Sequence, residues 1–176
     1  MPGYGDRPFG LNGIKIVSRL ATPPSPVDLP AASTLGFTPR MMGGELKGND
    51  QLVSVASFIE ALEWSLANGG IPLDALAIMT GFTASESGST PNRITTMTLQ
   101  PATAMPYFRI YGKILSENAD DLHALIQKAK ITGNLTGEFA YGAFYTMGLS
   151  GIGVKDGANG LVRIVQNETA AALPTT

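Results

Sequence analysis

One histidine, His123, is available for acid–base chemistry in the 176-residue chain, and it follows two acids, Asp120 and Asp121. A histidine oriented by a carboxylate is the base half of a nucleophilic device, in which the imidazole takes a proton from a hydroxyl. No serine here occupies the glycine-flanked elbow that would expose such a nucleophile, so a structural or simply exposed His123 is the stronger reading. Carboxylates also recur three residues apart, as Glu60 with Glu63 and Glu117 with Asp120. Such pairs divide acid and base roles when their surroundings push the two pKa values apart; solvated strand ends and turns explain these more simply. Gly151, Gly153 and Gly157 in GIGVKDG fit neither the dinucleotide fingerprint nor a phosphate loop, and read as a turn between strands. The chain has no cysteine, which removes thiol nucleophiles, disulfides and thiolate metal sites together. One histidine among scattered carboxylates falls short of a metal ligand set. The expectation is a protein with no catalytic, cofactor-binding or metal-binding residue, and no enzyme.

The composition points elsewhere. Charged residues make up 15% of the chain, against about 25% in ordinary globular proteins, so part of its surface is expected to be covered by other chains. The net charge of −2 supplies no basic field to hold nucleic acid. Acids concentrate between residues 49 and 100, where Asp50, Glu60, Glu63, Asp74 and Glu86 meet only Arg93. The opening MPGYGDRPFG lacks the basic and apolar regions of an export signal. No run approaches the roughly 18 apolar residues of a membrane span. A soluble protein made in a reducing cytoplasm is expected.

The elements that must position these residues read mostly as short strands in one domain over residues 1–176. NGIKIVSR at 12–19 is a β-branched run. The prolines at 23, 24, 26 and 30 that follow should prevent a ladder and leave a linker, or an arm lying on a neighbouring subunit. Residues 1 to about 48 are thus expected to include this arm and loop. Alternation places Phe108, Ile110 and Ile114 opposite Arg109, Tyr111 and Lys113, and Val162 and Ile164 opposite Arg163. It also puts Phe139, Tyr141, Tyr145, Met147 and Leu149 on one strand face. KDGANG at 155–160 is turn chemistry. One short helix is predicted within 70–81, with Pro72 in its first turn, Asp74 at its positive end and Gly81 closing it. Its packed face would be Leu73, Leu76, Ala77 and Thr80. Residues 57–68 and 120–132 fit either element, although local propensity favours helix in both. Trp64, the only tryptophan, reads first as core and second as a subunit contact.

In order and spacing, these features resemble the major tail tube proteins of long-tailed bacteriophages. The likeness rests on Gly69, Gly70, Ile71, Leu73, Ala75, Leu76, Ala77, Thr80 and Gly81, and then on Gly160, Ile164, Val165, Asn167 and Glu168. FGLNGIKIV followed by VDLPAAST is similar to the family's opening. The resemblance implies a mainly β fold, a sandwich or barrel with one short flanking helix, in which 57–68 and 120–132 are strands. It further implies hexameric rings whose inner strands join across subunits, stacked into a virion tail tube. The partners implied are further copies of the chain, a tape measure protein inside the tube, and terminator and baseplate or tip proteins at its ends. DNA would pass through without sequence-specific binding, and no cofactor is implied. A basic wall would hold phosphates, so some of Asp50, Glu60, Glu63 and Glu86, Glu63 foremost, are expected to face the channel, the alternative being that they scatter over the outer surface. The alternatives are a decoration or baseplate protein, or a small ligand-binding β-barrel.

Overall fold

The computed structural model describes residues 8–20, 25–101, 103–116 and 120–175. Its elements are β1 (Pro8–Ser18), β2 (Pro26–Asp28), β3 (Ala32–Gly48), β4 (Gln51–Asn68), α1 (Leu73–Thr80), β5 (Ala84–Ser87), β6 (Ile94–Met97), β7 (Phe108–Ser116), β8 (Asp121–Glu138), β9 (Thr146–Gly153) and β10 (Arg163–Asn167). The fold is mainly β with one short helix. Eight strands form a single antiparallel sheet in the order β2-β1-β7-β8-β9-β4-β3, with β10 added on β8; β5 and β6 pair separately.

The long strand β8 organises this sheet. Its first part pairs with β7 on one side and with β10 on the other, and its second part pairs with β9. The sheet curls until β3 packs near β1. Leu11 of β1 and Leu35 and Phe37 of β3 line one apolar cavity of about 100 Å³. Gly112 of the neighbouring β7 lines the same cavity, and a Cβ there would displace the end of the Leu35 side chain. Inside the curl lies one core, built from alternate residues such as Ile14, Ile16, Leu62, Leu66, Ile110 and Ile126. Trp64 belongs to it, 2% exposed and edge-on to Phe108 with ring centres 5.7 Å apart.

Helix α1 ends as its sequence predicts. Gly81 takes a φ of 77°, and its N–H donates to the Ala77 carbonyl at 2.8 Å. The buried face is Ala75, Leu76, Met79 and Thr80, so Leu73 and Ala77 are only half-buried. The helix is apolar almost all round apart from Asp74, so its pattern left the rotation open. It joins the main core against β1 and β2. Two turns cannot persist without that packing. Leu76→Ala should therefore lower unfolding free energy by about 2–3 kcal/mol, read by denaturant titration. A loss below about 0.5 kcal/mol would mean the helix adds nothing to the core.

Residues 57–68 and 121–132 are strand, as the resemblance implied and against local propensity. Other expectations change. Gly151 and Gly153 lie within β9, paired on both sides, and of the three glycines only Gly157 belongs to the turn that follows. The proline-rich stretch does hold a short ladder, Pro26–Asp28 on Lys15–Val17, while residues 21–24 lie outside the described residues. Only one side of this edge strand is paired, so proline is tolerated there. Beyond it, Ala32–Gly48 is a full sheet strand and no loop. Finally, β9 begins at Thr146, and Phe139–Tyr145 is an exposed connection rather than its continuation.

Candidate assembly surfaces

Strands β3 and β4 form a hairpin longer than the sheet that supports it. They pair from Ala32↔Asn68 to Gly48↔Gln51, but β4 meets β9 only over Leu62–Asn68. Past Ala61, neither strand has another partner among the described residues. About ten residues per strand, at about 3.3 Å each, carry this ribbon roughly 30 Å from the body. At its tip, Asn49 and Asp50 both take positive φ, 51° and 60°, the combination of a two-residue turn matched to strand twist. At its base, Arg40 pairs with Glu60 at 3.0 Å.

Both faces of the ribbon are apolar. Register places Met41 opposite Ile59, with Val55 on the same face, and Met42 opposite Phe58 on the other, with Leu46. All six are at least half exposed, and every residue of β4 from Gln51 to Glu60 is exposed. A lone two-stranded hairpin is marginal in water, and open strand edges invite further pairing.

The sheet's outer face over β3, β4, β9 and β8 is different in kind. Cross-strand rows run Thr38–Glu63–Ile152–Lys130, Gly36–Ser65–Ser150, and Thr34–Ala67–Gly148–Thr136. Short hydroxyl and glycine positions dominate. The Ser150 hydroxyl accepts from the Asn134 N–H at 3.1 Å, and Thr136 donates to the Gly148 carbonyl at 3.3 Å. Lys130 turns its ammonium toward the Tyr107 ring, 5.2 Å away. Glu63 is exposed on this face and has no ion-pair partner among the described residues. The other acids scatter: Asp50 lies at the ribbon tip, Glu60 at its base, Asp74 on α1, and Glu86 pairs with Arg93 at 3.2 Å.

His123 and Asp121 do come together, in a buried polar knot. The Asp121 carboxylate is fully buried, 3.0 Å from the Lys113 ammonium and 3.2 Å from His123 Nε2. It also accepts from the Asn167 amide and the Ala171 N–H, each at 2.5 Å, and Lys113 donates to the Ala171 carbonyl. Burial alone would push this carboxyl up; the hydrogen bonds from Asn167, Ala171 and Lys113, with a smaller pull from His123, hold it far below the ordinary range. These contacts bind the chain after β10 to the outer face of the sheet, where Leu173 covers Val17, Tyr111 and Leu125. The arrangement fastens a segment and presents donors to an acid. Glu117, the other acid paired with Asp120 by spacing, lies outside the described residues.

Between β8 and β9, Phe139 stacks on Tyr145 with ring centres 4.6 Å apart, leaving Tyr141 and Phe144 wholly exposed. Among the described residues, no group of three or more His, Asp or Glu is placed to hold a metal, and no helix is long and apolar enough to cross a membrane. No protein-family model and no curated protein matches the chain.

Proposed function

We propose that the chain is a structural subunit that assembles with its own copies into stacked rings, the tail tube of a long-tailed bacteriophage virion, and that it performs no catalysis. The observation that carries this reading is the ribbon of β3 and β4, apolar on both faces and unpaired at both edges past Ala61. In an isolated molecule it is a liability; between copies of the chain its edges are paired and its faces covered. Strand pairing across subunits is then the main ring contact, and a repeating head-to-tail contact extends the rings into an open-ended tube.

The hydroxyl-rich outer face suits the channel wall. It carries Glu63 in one row with Lys130, whose ammonium, like that of Lys128, is drawn over the Tyr107 ring. The rest is mostly short hydroxyl and glycine positions, so DNA would slide past without sequence-specific contact. A tape measure protein would occupy this channel during assembly, with terminator and baseplate or tip proteins at the ends.

Negative-stain microscopy of the purified chain at rising concentration tests the proposal. Hollow tubes are expected, and a cryo-EM map of them should put Glu63 on the lumen. A stable monomer at every concentration would overturn the assembly reading. Tubes whose lumen is dominated by lysine and arginine would overturn the channel assignment alone.

A further inference from the structure

Strand β9 separates two complementary features. Immediately before it stand Tyr141 and Phe144, exposed on the 139–145 loop with Glu138 beside them. Immediately after it, Lys155 and Glu60 border a cleft of about 420 Å³ with mainly apolar walls, including Pro39, Ile59 and Val162, and Leu62 in its floor. Glu60 is already paired with Arg40 at 3.0 Å, so Lys155 is the unpaired charge there among the described residues. An apolar cavity of roughly 150 Å³ is enough to take up benzene, so this cleft has room for an aromatic side chain. The eight residues of β9, at about 3.3 Å each, hold knob and cleft roughly 25 Å apart at opposite ends of one strand. A chain therefore cannot fill its own cleft.

The geometry points to a specific contact between copies: the 139–145 loop of one chain seats Phe144 in the cleft at the ribbon base of the next. The occupant is a second copy because knob and cleft match in size and apolar character, and the unpaired charges that flank them are opposite. Glu138 borders the knob and Lys155 the cleft, and neither has an ion-pair partner among the described residues. Because the two patches differ and face opposite ways along the strand, the contact is head-to-tail and does not close on itself. Ile59 lies in the cleft wall and on the ribbon, so a seated ring also covers the start of the ribbon's apolar face. This inference rests on the self-assembly reading and assigns residues to the contact that lengthens the tube.

Absence of cysteine makes the test direct. Ala143→Cys beside the knob and Val162→Cys in the cleft, combined in one chain, leave the aromatic residues in place. Oxidation of the assembled double variant should give a non-reducing ladder extending through trimers and higher species, and each single variant should give no species beyond a dimer. In parallel, Phe144→Ser should raise the concentration needed for tubes at least tenfold while the monomer's melting temperature stays put, since the side chain it removes is exposed. Tubes without a ladder, a ladder that stops at dimers, or tubes of the Phe144→Ser variant at the parent's concentration would each overturn the contact and leave self-assembly standing. Failure of the cysteine-free parent to form any assembly would remove both readings together.

Discussion

Asp121→Asn should destabilise the folded chain by about 3–5 kcal/mol, the usual cost of breaking a buried ion pair by removing one partner. The substitution keeps the shape and removes the charge. It leaves Lys113, whose side chain is 14% exposed, with a buried ammonium and only the Ala171 carbonyl among its named partners. The Ala171 N–H loses its charged acceptor as well. For a domain of this length the loss corresponds to a fall in Tm of roughly 10 °C. Lys113→Met added to Asp121→Asn should recover part of it, because the stranded charge goes too. The pH dependence has a fixed sign. The folded carboxyl titrates below its ordinary value of 3.8, so the unfolded chain takes up the proton first as pH falls. The stabilisation is complete above that ordinary value and drains away as pH drops beneath it. Asp156, held low first by its hydrogen bond from Arg19, acts in the same direction, so the difference between parent and Asp121→Asn isolates the Asp121 contribution. Denaturant titrations of both proteins between pH 7 and pH 3 make the measurement. Equal stability at neutral pH would show that the knot is solvated and fastens nothing.

The sequence could not disclose this knot, because the partners of Asp121 lie 46 and 50 residues away, at Asn167 and Ala171. Spacing brought Asp121 to His123, but only folding adds Lys113 from β7 and the segment after β10. The same limit governs β4 and β8. Both contain leucine and alanine spacings that suit a helix, and strand prevails because partners flank them on both sides, which local propensity cannot register. In β7 the alternation was legible on one face: Phe108 and Ile110 are buried inside the curl as read, while Tyr111 on the opposite face is buried too, under Leu173, which the pattern could not show. Helix α1 was legible at its ends, where Pro72 and Gly81 act locally, and less so in its rotation. At 139–145 the alternating aromatics imitate a continuation of β9. Gly142, at a φ of 75°, lies in a turn there, and the aromatic rings find no sheet to pack on. The ribbon left no periodic signal because both its faces are apolar. That composition makes sense only when something covers both sides.

Charges placed on the ribbon should therefore abolish assembly and spare the fold. Val55 lies on one face and Phe58 on the other, 60% and 57% exposed, so a neighbour that covers both removes more than half of each side chain from water. Full burial of such a side chain contributes about 1.5–3 kcal/mol, which makes each of these contacts worth about 1 kcal/mol. Six comparable side chains on the ribbon give about 6 kcal/mol per interface, and about 1.4 kcal/mol is a tenfold change in association. Val55→Asp with Phe58→Asp loses about 2 kcal/mol of this and adds two desolvated carboxylates. The critical concentration for tubes should rise at least about 100-fold, as measured by sedimentation and microscopy. The isolated chain should melt within about 2 °C of the parent, because neither residue touches the core. The single variants separate the faces: if Val55→Asp blocks assembly and Phe58→Asp does not, one face of the ribbon stays in solvent within the tube. If the double variant assembles at the parent's concentration, the ribbon takes no part in the contact, and the main support for a self-assembling subunit is gone.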